Sequence, residues 1–103
     1  MQVMYSLEFD PKAIEEIEHS FGWYLEKSIP AAEGFRAELE EVTDAVCRDP
    51  HVWPSYEFGL HEVLMDRYPF TIVYSILEET HAVVVISVFH QSRHPKGKYG
   101  SKS

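Results

Sequence analysis

The chain of 103 residues is 45% apolar and 14% aromatic, a composition that describes one globular domain and excludes both a disordered chain and a core large enough to split. Its net charge of −8 is uneven: the stretch 91–103 holds Arg93, Lys96, Lys98 and Lys102 without an acid, which leaves five basic against seventeen acidic residues before it, a balance of −12. A body of that charge is a poor general binder of polyanions, so any nucleic-acid contact has to run through the basic end.

Gln2 to Phe9 alternates, with Val3, Tyr5, Leu7 and Phe9 on one face, and reads as a strand. Asp10-Pro11 ends it and starts a helix, because aspartate caps the first amides and proline at the first helical position has no amide to leave unpaired. Ile14, Ile17, Phe21, Tyr24 and Ser28 then lie on one helix face. Ile29-Pro30 interrupts and restarts the pattern. Ala32, Phe35, Leu39, Val42 and Val46 form the apolar seam of a second helix, with Glu33, Glu38, Glu40, Glu41 and Asp44 assigned to its outside. The two helices read as an antiparallel hairpin closed by Asp49-Pro50.

His51 to Gly59 is a loop whose Trp53-Pro54 and Tyr56 are expected to fold as a lid over the core edge. Three strands follow, at 60–66, 70–77 and 82–90, joined by turns at Tyr68-Pro69 and Glu78 to His81 that are short enough to imply antiparallel neighbours. Val83 to Phe89 is apolar on both faces, so the last strand belongs inside the sheet. The expected fold class is α+β, in the order β-α-α-β-β-β, with the helical hairpin packed on one face of a mainly antiparallel four-stranded sheet.

Cys47, the single cysteine, reads as a small buried apolar side chain and excludes an intramolecular disulfide. His90 and His94 stand four apart, a metal-like spacing, but they straddle a strand end and Pro95 and lack an adjacent third ligand. Neither a metal nor another cofactor is therefore expected. The N-terminus has no basic region followed by an apolar run, and no stretch approaches the ~20 apolar residues of a membrane span, so the expectation is a cytoplasmic protein with no membrane partner. Residues 1–95 are read as the domain and 96–103 as a basic flexible tail, too poor in apolar side chains to fold alone.

Three stretches in this order resemble the RelE/ParE toxin superfamily. They are Phe9-Asp10-Pro11-Lys12-Ala13 after the first strand, Arg67-Tyr68-Pro69-Phe70-Thr71-Ile72-Val73-Tyr74 leading into the third, and Val88-Phe89-His90-Gln91-Ser92-Arg93-His94-Pro95 closing the fourth. The resemblance covers nearly the whole chain and implies the toxin half of a bacterial type II toxin–antitoxin pair, neutralised by a cognate antitoxin that folds as it wraps the toxin.

The superfamily has a branch that cuts messenger RNA on the ribosome and a branch that inhibits DNA gyrase without acting as a nuclease. RNA cleavage requires a group to activate the 2′-OH and cations to stabilise charge on phosphate. At or near the positions where the cutting branch carries cations, this sequence has Glu62, Leu64, Thr71 and Gln91, none of them cationic. Glu62 could act as a general base but reads more simply as a solvated strand carboxylate. The catalytic candidates are His90, Arg93 and Tyr99, and the candidates for target or partner binding are Arg67, Arg93, His94, Lys96, Lys98 and Trp23, with Tyr24 and Leu25 beside it. Arg93 either pairs with a carboxylate of the acidic body or points to a target. The gyrase-like branch, acting by binding rather than as an enzyme, is the expectation; a ribosome-dependent messenger endonuclease, or a member that has lost toxicity and persists as a binding module, is the alternative.

Overall fold

The computed structural model describes residues 4–92. Strand β1 (Ser6–Phe9) leads into helices α1 (Pro11–Lys27) and α2 (Ile29–Arg48), and strands β2 (His61–Leu64), β3 (Phe70–Leu77) and β4 (Ala82–His90) complete the sheet. The strand order is β1-β4-β3-β2. β4 pairs antiparallel with β3, and β3 antiparallel with β2, while β1 runs parallel to β4, so the sheet is mixed. The apolar last strand is interior, as its sequence requires.

Local chemistry explains the punctuation. The Asp10 carboxylate accepts from Lys12 N at 2.9 Å with Pro11 at the first position of α1. Ser28 serves both helices: its amide donates to Tyr24 O at 2.8 Å to close α1, and its hydroxyl accepts from Ala31 N at 3.1 Å to open α2. One extended residue thus makes the whole turn of the hairpin. In α2 the seam residues Phe35 and Val46 share one buried core with Ile72, Tyr74 and Val85 of the sheet, and Ala32 is buried as well. The Tyr74 hydroxyl donates to Pro50 O at 2.7 Å and fixes where the chain leaves α2. Of the expected lid, Trp53 packs against the core edge, whereas Tyr56 is 44% exposed.

Further expectations of the fold need correction. The first strand covers only Ser6–Phe9, because Tyr5 N turns away from the sheet to donate to Cys47 O at 2.9 Å; residues 1–3 lie outside the described part. β2 is shorter than 60–66, since the chain turns after Leu64. Ile14 is not a core residue of α1 but 43% exposed, and the adjacent Ala13 is fully buried in its place. The largest difference is Glu38, assigned to the outside of α2 and found 2% exposed.

Glu38 is buried because it does what a sheet would otherwise have to do. Its carboxylate accepts from the amides of Asp66 at 2.5 Å, Arg67 at 3.0 Å and Tyr68 at 3.1 Å, the amides of the turn between β2 and β3. Backbone N–H groups away from water are costly unless paired, and bonds to an ionised acceptor are the stronger kind. The turn is further held by the Tyr68 hydroxyl, which donates to Ala31 O at 2.7 Å and lies over Gly34. A Cβ at Gly34 would collide with that hydroxyl and come within 3.3 Å of the ring carbon bearing it.

Replacing Glu38 with alanine strands three donors at once, so Glu38→Ala should lower the unfolding free energy by about 3 kcal/mol or more. Glu38→Gln, which keeps one acceptor oxygen but turns an amide donor towards the turn, should fall in between. Urea denaturation of the three proteins checks this order. A Glu38→Ala protein as stable as the parent would show that water replaces the carboxylate without cost.

Candidate functional site

β4 ends at His90, directly paired with Phe70 at the start of β3. The His90 ring meets Phe70 edge-on at 5.2 Å between centroids. Its Nδ1 accepts from Ser92 N at 3.2 Å and lies 2.8 Å from the Ser92 hydroxyl. With Nδ1 accepting, the proton of the neutral ring resides on Nε2, so this imidazole offers a donor there rather than a base. To act as a general base through Nε2 it would have to change tautomer and give up the Ser92 amide.

α1 supplies the opposite wall. His19, Ser20, Trp23 and Tyr24 lie across from Phe70, His90 and Ser92 and enclose a cleft of about 340 Å³. Trp23 is 51% exposed, edge-on to Tyr24 at 5.1 Å, with the Lys27 ammonium 4.8 Å over its ring. Tyr24 reaches inward, stacked on Phe35 at 5.6 Å and edge-on to Tyr68 at 5.1 Å, and burial pushes its pKa above the ordinary tyrosine value. The cleft is aromatic, with imidazole and hydroxyl groups at its rim. It is equipped to hold a group.

The structure therefore brings three of the sequence candidates, His90, Trp23 and Tyr24, to one cleft. Arg67 is elsewhere: its guanidinium is 3.5 Å from Glu41 Oε1 on α2, with both side chains more than half exposed. Arg93, His94, Lys96, Lys98 and Tyr99 lie outside the described residues, as does the proposed tail 96–103. Of the four positions matching cations of the cutting branch, Glu62 and Thr71 are buried and Leu64 is 60% exposed. The Gln91 amide is spent on Phe70 O at 3.1 Å. Glu62 is thus not the solvated carboxylate that its strand position suggests. Cys47 is buried as expected, and burial raises its thiol pKa.

Three carboxylates outside the sequence candidates prove to be organising groups. Glu38 is one. Glu16 is the second: it accepts from Val88 N at 2.7 Å and from the Ser87 hydroxyl at 2.8 Å. β1 stops pairing with β4 at Val85, so the Glu16 carboxylate takes over the next edge amide that lacks a strand. A signal for Glu38 was present, since it lies three residues after Phe35 and four before Val42, on the flank of the apolar stripe. No such signal exists for Glu16.

The third is Glu78, at the opposite end of β3 and β4. Its Oε1 accepts from the Tyr5 hydroxyl at 3.1 Å and its Oε2 lies 2.6 Å from His51 Nε2, while Tyr5 stacks on His81 at 3.7 Å. The hydrogen bond from His51 leads the effects that hold the Glu78 pKa below its ordinary 4.5. Among the described residues no group of three or more histidine, cysteine, aspartate or glutamate side chains is placed to hold a metal ion, and no helix is long and apolar enough to cross a membrane.

A helical hairpin thus lies on one face of a four-stranded mixed sheet, and the chain leaves the sheet beside an aromatic cleft. Residues 7–95 match the family described as ParE toxin of the type II toxin-antitoxin system, parDE. The chain belongs to that family. The fold is shared with the chromosomal ParDE system from P. aeruginosa at 16% identity and a TM-score of 0.69, with 84% of this chain and 96% of that chain covered. It is shared with the toxin-antitoxin complex RelBE2 from Mycobacterium tuberculosis at 22% identity and a TM-score of 0.60, covering 85% and 99%. A mutant of the E. coli toxin RelE in the free state matches at 20% identity and a TM-score of 0.60, covering 90% of each chain. No curated protein sequence matches.

The Glu78 set makes a pH prediction with a definite sign. A carboxylate whose folded pKa is depressed contributes stability above its unfolded value, and loses it as pH falls through the folded value. The melting-temperature gap between the parent and Glu78→Gln should be widest near neutrality and close between about pH 5 and pH 3. A gap that persists at the acid end would mean that the carboxylate charge is not what holds Tyr5 and His51.

Proposed function

We propose that this toxin arrests growth by holding an essential protein of the DNA gyrase kind, without cutting nucleic acid, and that a cognate antitoxin neutralises it. The observation that carries this reading is the state of the four positions where cations would be needed. Two are buried in the sheet, one is an exposed leucine, and the amide of the fourth is engaged by a backbone carbonyl. Those four positions therefore offer phosphoryl chemistry neither an exposed base nor a cation. The body charge of −12 before Gln91 adds a second reason, because it opposes entry into the dense phosphate field of a ribosome. Trp23, Arg67, Arg93, His94, Lys96 and Lys98 are the proposed contact residues.

The antitoxin reading has a surface to use. Among the described residues β1 lies at one edge of the sheet and is paired with β4 alone. Beside it runs a groove of about 450 Å³ lined by Leu7, Phe9, Ile14, Ile17 and Leu39. An open strand edge with an apolar groove alongside suits an extended segment that orders on binding, with main-chain bonds supplying affinity and the groove selecting side chains.

Expression of this chain alone should stop growth, and co-expression of the antitoxin encoded beside it should restore it. Purified protein should inhibit supercoiling by DNA gyrase and leave messenger intact on translating ribosomes. Codon-specific cleavage at the ribosomal A site would refute the binding mechanism in favour of the endonuclease. Normal growth at verified soluble expression would favour a binding module that has lost toxicity.

A further inference from the structure

Between α2 and β2 the chain presents an aromatic side chain in a backbone conformation that its residue type disfavours. Phe58 has φ 63 and ψ 22. That is the left-handed region, where a Cβ crowds the carbonyl oxygen that follows and bulky residues are rare. The same side chain is 84% exposed, so it has no core burial to offset the strain. Val52 and Tyr56, in the same segment, are exposed as well.

The conformation is imposed by the chain around it. Ser55 bridges to His61, Tyr56 N donates to Leu60 O at 2.5 Å, and Leu60 N donates to Glu57 O at 3.2 Å. Gly59 follows at φ 71 and absorbs the second left-handed position at no steric cost. A tight, bonded tip therefore displays a phenyl ring that folding does not need. Strained residues of this kind persist where surrounding structure over-determines them, and they concentrate at binding sites. A preformed tip also loses little conformational freedom when it binds.

The charge around the tip narrows the kind of partner. The tip 55–60 carries one charged side chain, Glu57, exposed beside Phe58. Phosphate backbones and anionic lipid headgroups carry the same sign as this segment. A protein pocket with an apolar floor and a rim of lysine and arginine is complementary to it. The tip leads into β2, at the sheet edge opposite β1, and so is separate from the groove assigned to the antitoxin.

We propose that Phe58 is the anchoring side chain by which this toxin seats in an apolar, basic-rimmed pocket of its protein target. The proposal rests on the reading of the chain as a toxin that acts by binding. An aromatic ring inserted in a pocket is the kind of residue that carries a large share of binding energy when a protein interface is truncated residue by residue.

The test compares the parent with Phe58→Gly and Phe58→Tyr, each expressed at matched soluble level and each melted as purified protein. Glycine accepts the left-handed backbone and removes the ring, so Phe58→Gly should melt at or above the parental temperature. It should nonetheless need at least about tenfold more expressed protein to arrest growth, as loss of an anchoring contact implies. Phe58→Tyr should arrest growth like the parent. Arrest by Phe58→Gly at parental potency overturns the proposal while leaving the toxin reading intact. A melting temperature several degrees below the parent would overturn it too, by making Phe58 a structural residue. Failure of the parent itself to arrest growth removes the toxin reading and this proposal with it.

Discussion

The Glu38 carboxylate is the constraint from which most of this architecture follows. The chain has to reverse between β2 and β3 in a turn that carries three consecutive amides, Asp66, Arg67 and Tyr68, and Glu38 of α2 meets all of them. An ionised acceptor receiving several backbone donors in a part-buried setting locks the position of the helix against the turn. Consequences run outward from there. Tyr68 is placed to reach Ala31 O over Gly34, and Pro69 O receives Gln91 N at 2.8 Å. Phe70 is set opposite His90. The cleft between His90 and Trp23 is thus positioned by a carboxylate that touches none of the residues lining it.

Glu16 repeats the device at the other flank of the sheet. β1 is too short to accompany β4 to its end, and the register of β4 slips against β3 around Val73 and Tyr74. A carboxylate from α1 supplies the acceptor that a longer strand would have provided for Val88. Using acidic side chains in place of backbone pairing keeps the sheet small, and it accounts for part of the acidic composition in structural terms. It also leaves β1 with one open edge, on the side of the molecule away from the Phe58 tip. The groove proposed for the antitoxin and the anchor proposed for the target thereby lie at opposite edges of the sheet.

The chemistry of the cleft points the same way as the charge. His90 is tied through Nδ1 to Ser92, Tyr24 is held protonated by burial, and the nearest described cation, Lys27, rests over the Trp23 ring. Aromatic area with a few polar groups at its rim is what the proposed binding role would use.

Much of the fold was legible in the residues alone, because the signals are local. Asp10-Pro11, Ile29-Pro30 and Asp49-Pro50 bound the helices through capping and proline geometry, the spacing of Ala32, Phe35 and Val46 marks a buried seam, and the apolar run from Val83 to Phe89 places β4 inside. His90 and Trp23 were legible as candidates one at a time. What only the tertiary structure decided depends on groups far apart in sequence. The parallel pairing of β1 with β4, the burial of Glu38 and Glu62, the exchange of Ile14 for Ala13 in the core and the meeting of His90 with Trp23 each require the helices to be set against the sheet. The left-handed Phe58 belongs with them: no residue type nearby announces it, and it arises because the bonds from Ser55 to His61 and from Tyr56 to Leu60 close the chain around it. Periodicity and capping act within a few residues, whereas a carboxylate's partner or a strained dihedral is chosen by whatever the rest of the chain brings beside it.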